Sequence, residues 1–378
     1  MFKNYSKSFF IFILFFILYP KIVSAISLGY SISQKDSILF DLIIKNGFIY
    51  DGSGGMPYKG DLGIINDKIE FIGDAGGLKS KKIIFADDKV VSPGFINMLS
   101  WAVDDLIIDG RSQGDIRQGV TLEVFGEGVS MGPLNSEMQK DRTANGLGIG
   151  EVDYDLNWVT LGDYLQFLEN KGVSPNVASF VGATTLRVHQ IGYEDRPPTK
   201  QELDSMKLLV RQAMEEGAMG IGSSLIYAPA FYASTDELIE ICKVASEYGG
   251  IYTSHLRSEG NRFLESVDEF LKIASEANID SEIYHLKAGG KENHYKLDLV
   301  IKKIDSARAA GLNITADMYT YTAGATGLDA SMPPWVQEGG YSEWKKRLQD
   351  PEIRKKVVKE INTPTDEWEN LYLQAGSP

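Results

Sequence analysis

Gly249-Gly-Ile-Tyr-Thr-Ser-His255-Leu-Arg257 opens, and Ser281-Glu-Ile-Tyr-His285-Leu-Lys287 closes, the stretch that decides the fold. Each run is short and apolar, rich in β-branched and aromatic residues, and each carries a histidine at its end. Between them Phe263, Val267, Phe270, Leu271 and Ala274 recur with the 3.6-residue period of a helix. Two strands joined by a helix read as parallel neighbours in one βαβ unit. In register, both imidazoles stand at the same carboxyl edge of the sheet. The chain has four histidines, so two in matching positions point to half of a metal site or to an acid/base pair. The alternative is two unrelated histidines, each satisfied by local hydrogen bonds.

Outward from this unit the rhythm continues. Strand candidates lie at 93–100, 121–126, 176–183, 218–225, 251–256, 281–286 and 313–319. The last four begin about 30 residues apart, the length of one βαβ repeat. Thr199-Lys-Gln-Glu202 and Ser234-Thr-Asp-Glu237 are capping boxes that start intervening helices. Leu297, Val300, Ile301 and Ile304 make a further helical stripe. Such alternation predicts an α/β fold with a parallel sheet and helices outside. Over residues 92–378 it predicts a (β/α)8-type TIM barrel with seven strands present and the eighth missing. Ahead of it, the short strands and Gly- and Asp-rich turns of residues 41–91 predict a small N-terminal β-sandwich domain or a lid-like sheet. There Asp41–Lys45 and Phe48–Tyr50 read as strands about an Asn46-Gly47 turn, and Asp61–Gly73 as a second hairpin. Residues 134–158 read as loop. The Gly146-Leu-Gly-Ile-Gly150 pattern within them lacks the strand before and helix after that a dinucleotide site needs.

The 378-residue chain carries a formal net charge of −14, which argues against nucleic acid and anionic membrane surfaces as partners. Its N-terminus differs in kind. Lys3 and Lys7 precede or flank an apolar run from Phe9 to Tyr19, and Val23-Ser-Ala25 offers the small residues a signal peptidase reads. The run falls short of the ~20 residues of a spanning helix. Residues 1–25 therefore read as a secretory signal peptide and 26–40 as a leader. This predicts an exported protein, periplasmic or secreted, with no membrane attachment after cleavage. The single cysteine, Cys242, cannot form an internal disulfide. It lies in a helical stripe with Leu238, Ile241 and Ala245, so core packing is its expected role.

The carboxyl ends of barrel strands are the positions to search for chemistry. The second strand ends at Phe125-Gly-Glu127-Gly128, where flanking glycines let the backbone bend and aim Glu127 into the mouth. Glu127, His255 and His285 make a two-histidine, one-carboxylate set, a known catalytic zinc arrangement that leaves a fourth position for water. Zinc brings the pKa of such water to roughly 7. The competing reading of Glu127 is a loop carboxylate paired with Arg111 or Arg117. Arg257 and Lys287 each lie two residues past a histidine on the same edge, and two cations there suit a substrate bearing a carboxylate. Tyr227, Tyr319 and Tyr321 end or follow strands at that rim, as orienting hydroxyls or as packing. His189 and His294 fall in loops or helix starts and read as solvated surface.

Further blocks join these: Asp41-Leu-Ile-Ile-Lys-Asn-Gly47, Asp51-Gly-Ser-Gly, Val91-Ser-Pro-Gly-Phe-Ile96, Gly217-Ala-Met-Gly-Ile-Gly-Ser-Ser-Leu-Ile-Tyr-Ala-Pro229 and Thr315-Ala-Asp-Met-Tyr319-Thr-Tyr-Thr-Ala-Gly324. Together, and in order, they resemble the amidohydrolase superfamily and within it the N-acyl-D-amino-acid deacylases. The resemblance implies a (β/α) barrel with a small β-sandwich built from both chain ends. It implies zinc with His255 and His285 as ligands, hydrolysis of the amide of an N-acyl-D-amino acid, and Lys287, Tyr227 and Tyr319 near the substrate.

The chain departs from the family in three places. Where the family's first strand ends in His-x-His, this sequence has Leu99 and Trp101, which cannot bind zinc, so one zinc per chain is expected. Glu127 stands where the deacylases have a cysteine ligand, and a carboxylate is a competent replacement. The family's eighth-strand aspartate, its general base, has no counterpart. The catalytic base is therefore unknown and the sequence reads as C-terminally truncated relative to the family. The rival readings are a cyclic-amide or dipeptide hydrolase of the same superfamily and a non-catalytic binding protein on a decayed barrel. The expected partner is a small N-acyl amino acid, and the chain could form a homo-oligomer.

Overall fold

A computed structural model describes residues 38–145, 154 and 156–376. The expected signal peptide, most of the leader and the Gly146–Gly150 pattern lie outside the described residues. The chain divides into two compact units, 1–94 and 95–378.

In the first unit β1 (Leu39–Ile49) organises the sheet. β2 (Tyr58–Ile65) pairs with it antiparallel and β3 (Lys68–Gly73) pairs with β2. On the other side β4 (Lys79–Phe85) runs parallel to β1, and β5 (Val90–Val91) pairs with its end. The strand starts inside the expected leader, because Phe40 belongs to a core with Ile43 and Ala75. Asn46-Gly47 does not turn the chain. The register against β2 shifts between Ile44 and Gly47, and Asn46 takes a φ of 65°. This is a bulge within one strand. Buried Asp61 holds it, accepting from the Asn46 N–H at 2.8 Å and from the Ala75 N–H at 2.8 Å. The second expected hairpin forms, with β2 and β3 joined at Asn66-Asp67. The described residues of this unit make one five-stranded sheet and no second layer.

The second unit is α/β. One parallel sheet holds β6 (Phe95–Asn97), β7 (Val120–Phe125) and β8 (Asn176–Ser179). A second holds β9 (Val181–Gly182), β10 (Gly220–Ser224), β11 (Ile251–His255), β12 (Asp280–Ile283) and β13 (Ile314–Ala316). Both run in sequential order and every pair is parallel. The strands fall where the sequence places them, the third divided at Phe180 between the two sheets.

Helices Lys200–Glu215, Thr235–Glu247, Phe263–Ala277 and Lys296–Ala309 connect the strands of the second sheet. Phe263, Val267, Phe270, Ala274, Val300 and Ile304 are buried as their spacing requires, whereas Ile301 faces solvent. Cys242 is fully buried, which pushes its thiol pKa up and leaves it unreactive. The Thr199 capping box closes in both directions. At Ser234 only half of it forms. Ser234 Oγ accepts from the Glu237 N–H, but the Glu237 carboxylate turns inward to Arg187 at 2.7 Å.

Two loop expectations are corrected. Ser136–Asn145 is a helix, capped by Asn135, whose Oδ1 accepts from the Glu137 and Met138 N–H groups. Its polar sequence has no apolar period to announce it. His189 lies half-buried in the last turn of the helix Ala183–Ile191.

The backbone after β7 comes very close to the second sheet. A Cβ added at Gly222 on β10 would lie 2.0 Å from the Gly126 carbonyl oxygen. Gly222→Ala is therefore expected to cost about 3 kcal/mol, read as a lowered thermal midpoint. A midpoint unchanged from the parent would show that this backbone approach is looser than described.

Candidate metal centre

β11 and β12 are neighbours, but their histidines are not level. The register pairs Ser254 with Ile283, which sets His255 beside Tyr284 and leaves His285 one residue further along. In a regular strand a one-residue offset sends the side chain to the opposite face. The chain corrects this at His285, whose φ is +37°. Left-handed backbone is uncommon for a residue other than glycine. Asp317, just past β13, supports it by accepting from the His285 N–H at 2.5 Å. The two imidazoles then meet edge to face, with ring centres 4.5 Å apart.

Glu127 arrives from the end of β7. Gly126 and Gly128 flank it with φ of +107° and +71°. A Cβ at Gly126 would lie 2.4 Å from the Phe180 carbonyl oxygen, and one at Gly128 2.0 Å from Ser224 Oγ. Glycine alone fits both places, and the bend carries Glu127 to the histidines. Its Oε1 lies 3.1 Å from His255 Nδ1 and 3.3 Å from His285 Nε2. Its Oε2 accepts from the Trp101 indole N–H at 2.9 Å. The carboxylate is only 9% exposed. Burial pushes its pKa up, but hydrogen bonds from the two imidazoles and their charge outweigh this and bring it to about 2. Arg111 pairs with Asp109 and Arg117 with Gln113, so neither competes for Glu127.

A second buried carboxylate, Glu259, backs the histidines. Its Oε1 stands 3.0 Å from His285 Nδ1, and its Oε2 stands 2.6 Å from Lys287 Nζ. Burial raises the Glu259 pKa, yet the His255 charge, the His285 hydrogen bond and the Lys287 charge hold it below the usual range. For His285, burial favours the neutral ring, but the Glu127 and Glu259 carboxylates reverse this and raise its pKa to about 9. Sequence reading missed Glu259, which lies in the loop after β11 with no strand end to mark it. It missed Asp317 and the Trp101 hydrogen bond for the same reason: each acts through a contact across the fold.

The predicted substrate-side residues separate here. Lys287 Nζ lies over the Tyr319 ring, 5.5 Å from its centre, and the Tyr319 ring is 6.3 Å from that of His285. The Tyr227 ring is 5.4 Å from His255, and its hydroxyl shares a 2.8 Å hydrogen bond with Thr326 Oγ1. Arg257 is otherwise engaged, contrary to expectation. Its guanidinium forms a two-pronged pair with Glu269 and donates to the carbonyls of Phe231 and Ala233, which leaves little for a substrate carboxylate.

Glu127, His255 and His285 each offer a ligand atom within 4.8 Å of the others. His255 Nε2 is buried without a hydrogen-bond partner, Glu259 Oε2 standing off at 3.8 Å. Converging imidazole and carboxylate donors with a nitrogen left unpaired fit a transition metal ion of borderline softness, zinc among them. Glu259, with Oε1 3.0 Å from His285 Nδ1, stands where an outer carboxylate would orient such a ligand, leaving Nε2 on the Glu127 side.

No family profile matches the chain. It is 33% identical over 300 residues to the D-aminoacylase of Alcaligenes xylosoxydans xylosoxydans, a match taking in 78% of this chain and 60% of that protein. A solved D-aminoacylase, described as defining a novel subset of amidohydrolases, superposes with a TM-score of 0.68 at 32% identity, over 75% of this chain and 59% of that one. The N-acyl-D-glutamate deacylase of Bordetella bronchiseptica was solved with zinc and a phosphonate that mimics the tetrahedral intermediate of its reaction. It superposes with a TM-score of 0.66 at 28% identity, over 75% of this chain and 59% of that one. The chain thus spans about six-tenths of the length of the curated relatives it matches.

The protonation of His285 gives the centre a measurable signature. In the metal-free protein it keeps its proton up to about pH 9, and a metal accepts only the neutral ring. Metal uptake at pH 7 therefore releases a proton, and apparent affinity rises about tenfold per pH unit until that pKa is passed. Calorimetric titration in buffers of different ionisation enthalpy counts the proton. Uptake with none released would remove His285 from the ligand set.

Proposed function

The chain is a relative of the D-aminoacylases, a branch of the amidohydrolases, and from that premise we propose that it serves a zinc-dependent hydrolase cleaving the amide bond of N-acyl-D-amino acids. The observation that carries this reading is the meeting of Glu127, His255 and His285 about one gap at the strand ends. These three residues would hold a single zinc ion, since Leu99 and Trp101 supply no ligand after β6. When bound, zinc supplies the Lewis acidity that polarises a carbonyl and acidifies water.

The chain's own residues provide the rest. Glu259 fixes the His285 ring and balances the Lys287 charge. Lys287 places an ammonium beside the ligands, where it suits the substrate carboxylate. Tyr227 and Tyr319 border His255 and His285 and orient the acyl amide between them. Arg257 is assigned to holding the loop after β11. No residue is assigned as the base. The two parallel sheets are read as successive parts of a TIM barrel carrying seven of eight strands, and the small sheet as one layer of a β-sandwich. Export by the N-terminal signal places the activity outside the cytoplasm.

A panel of N-acyl-D-, N-acyl-L- and cyclic amide substrates tests the reading, with zinc measured in the same preparation. The expected outcome is cleavage confined to the N-acyl-D compounds and about one zinc per chain. His285→Ala loses both. Glu259→Gln, outside the ligand set, lowers zinc affinity roughly 10- to 100-fold. Two zinc ions per chain would refute the single site, and turnover of cyclic amides alone would move the chain to another branch of the superfamily.

A further inference from the structure

Trp101 sits on the loop after β6 with 47% of its surface exposed, yet its one hydrogen-bond donor points inward. The loop is firmly tied to β7. The Ser100 N–H donates to the Val124 carbonyl at 2.9 Å, Ser100 Oγ donates to buried Glu123 at 2.7 Å, and the Ala102 N–H returns to Ser100 Oγ at 3.2 Å. These bonds fix the backbone on either side of the indole. From there its N–H reaches Glu127 Oε2 at 2.9 Å.

The two oxygens of Glu127 are thereby told apart. Oε1 faces both imidazoles, and Oε2 is held by the indole. A free carboxylate can rotate about its last bond and bind an ion through one oxygen or through both. Here chelation through both would set the ion in competition with the indole for Oε2, which the indole already holds. The other hydrogen bonds to this carboxylate among the described residues come from His255 and His285, whose nitrogens would be engaged by a bound ion. The indole is then the bond left to orient the ligand. The glycines on either side of Glu127 have no side chains to do so.

We propose that Trp101 is a positioning residue of the metal centre, its indole N–H presenting Glu127 Oε1 to the ion and withholding Oε2. The proposal rests on the metal reading of Glu127, His255 and His285. It gives Trp101 a part in setting the geometry of the Glu127 carboxylate.

Trp101→Phe keeps the ring and removes the donor, and the exposed position tolerates it. Zinc is added to the metal-free full chain in competition with a chromogenic chelator, with circular dichroism to check the fold. In the parent, zinc binding changes the tryptophan emission. In Trp101→Phe that change is lost and zinc affinity falls about tenfold or more. Trp101→Phe binding zinc as tightly as the parent, while His255→Ala loses it, would overturn the proposal and leave the metal centre standing. A parent chain that takes up no zinc would overturn the metal reading and the proposal with it.

Discussion

A carboxylate taken almost wholly out of water must be compensated or give up its charge. At Glu127 the compensation is a pair of imidazoles that converge on one oxygen. The surrounding structure follows from that need. Two glycines let the chain just past β7 bend and carry Glu127 over the second sheet. A left-handed residue brings His285 round to the face that His255 already occupies. Glu259 then balances the far side of His285 and the Lys287 ammonium, so the charges of this pocket are paired around the histidines.

The elements of the α/β unit were legible because their signals are local. β-branched runs end in glycine or histidine, helical stripes separate them, and Thr199 caps its helix as its sequence says. The signals that failed were local ones overridden from a distance. Asn46-Gly47 has the chemistry of a hairpin turn, but Asp61 and continued pairing to β4 and β5 keep the strand going through it as a bulge. Glu237 has the spacing of a capping-box partner, but Arg187 claims it from the helix Ala183–Ile191. The helix at Ser136–Asn145 offers no stripe, and Asn135 is its one visible start signal.

The site was legible to the same depth. Sequence position singles out residues at strand ends, and Glu127, His255, His285 and Lys287 are ones the fold brings together. It cannot tell a cation facing the mouth from one facing a neighbouring helix. Arg257 and Lys287 have the same spacing from their histidines, yet one is bound to Glu269 on the following helix and the other to Glu259 beside the histidines. Nor could it see that the two histidines are one residue out of register, because the remedy is a single backbone angle at His285. Trp101 shows the opposite case. Judged only by what it cannot ligate, it reads as a loss, whereas the fold uses its N–H.

Positions 127 and 285 differ in how freely a lineage can revise them. Between two glycines the chain path at 127 is set by its neighbours, and a new side chain of suitable reach inherits the same approach. At 285 a φ of +37° is itself a filter. Asparagine, aspartate and histidine enter that region far more readily than other side chains, and β-branched ones scarcely at all. Drift at these two positions is therefore channelled by handedness: open at the strand that leads to the carboxylate, and nearly closed at the one that leads to the second ring.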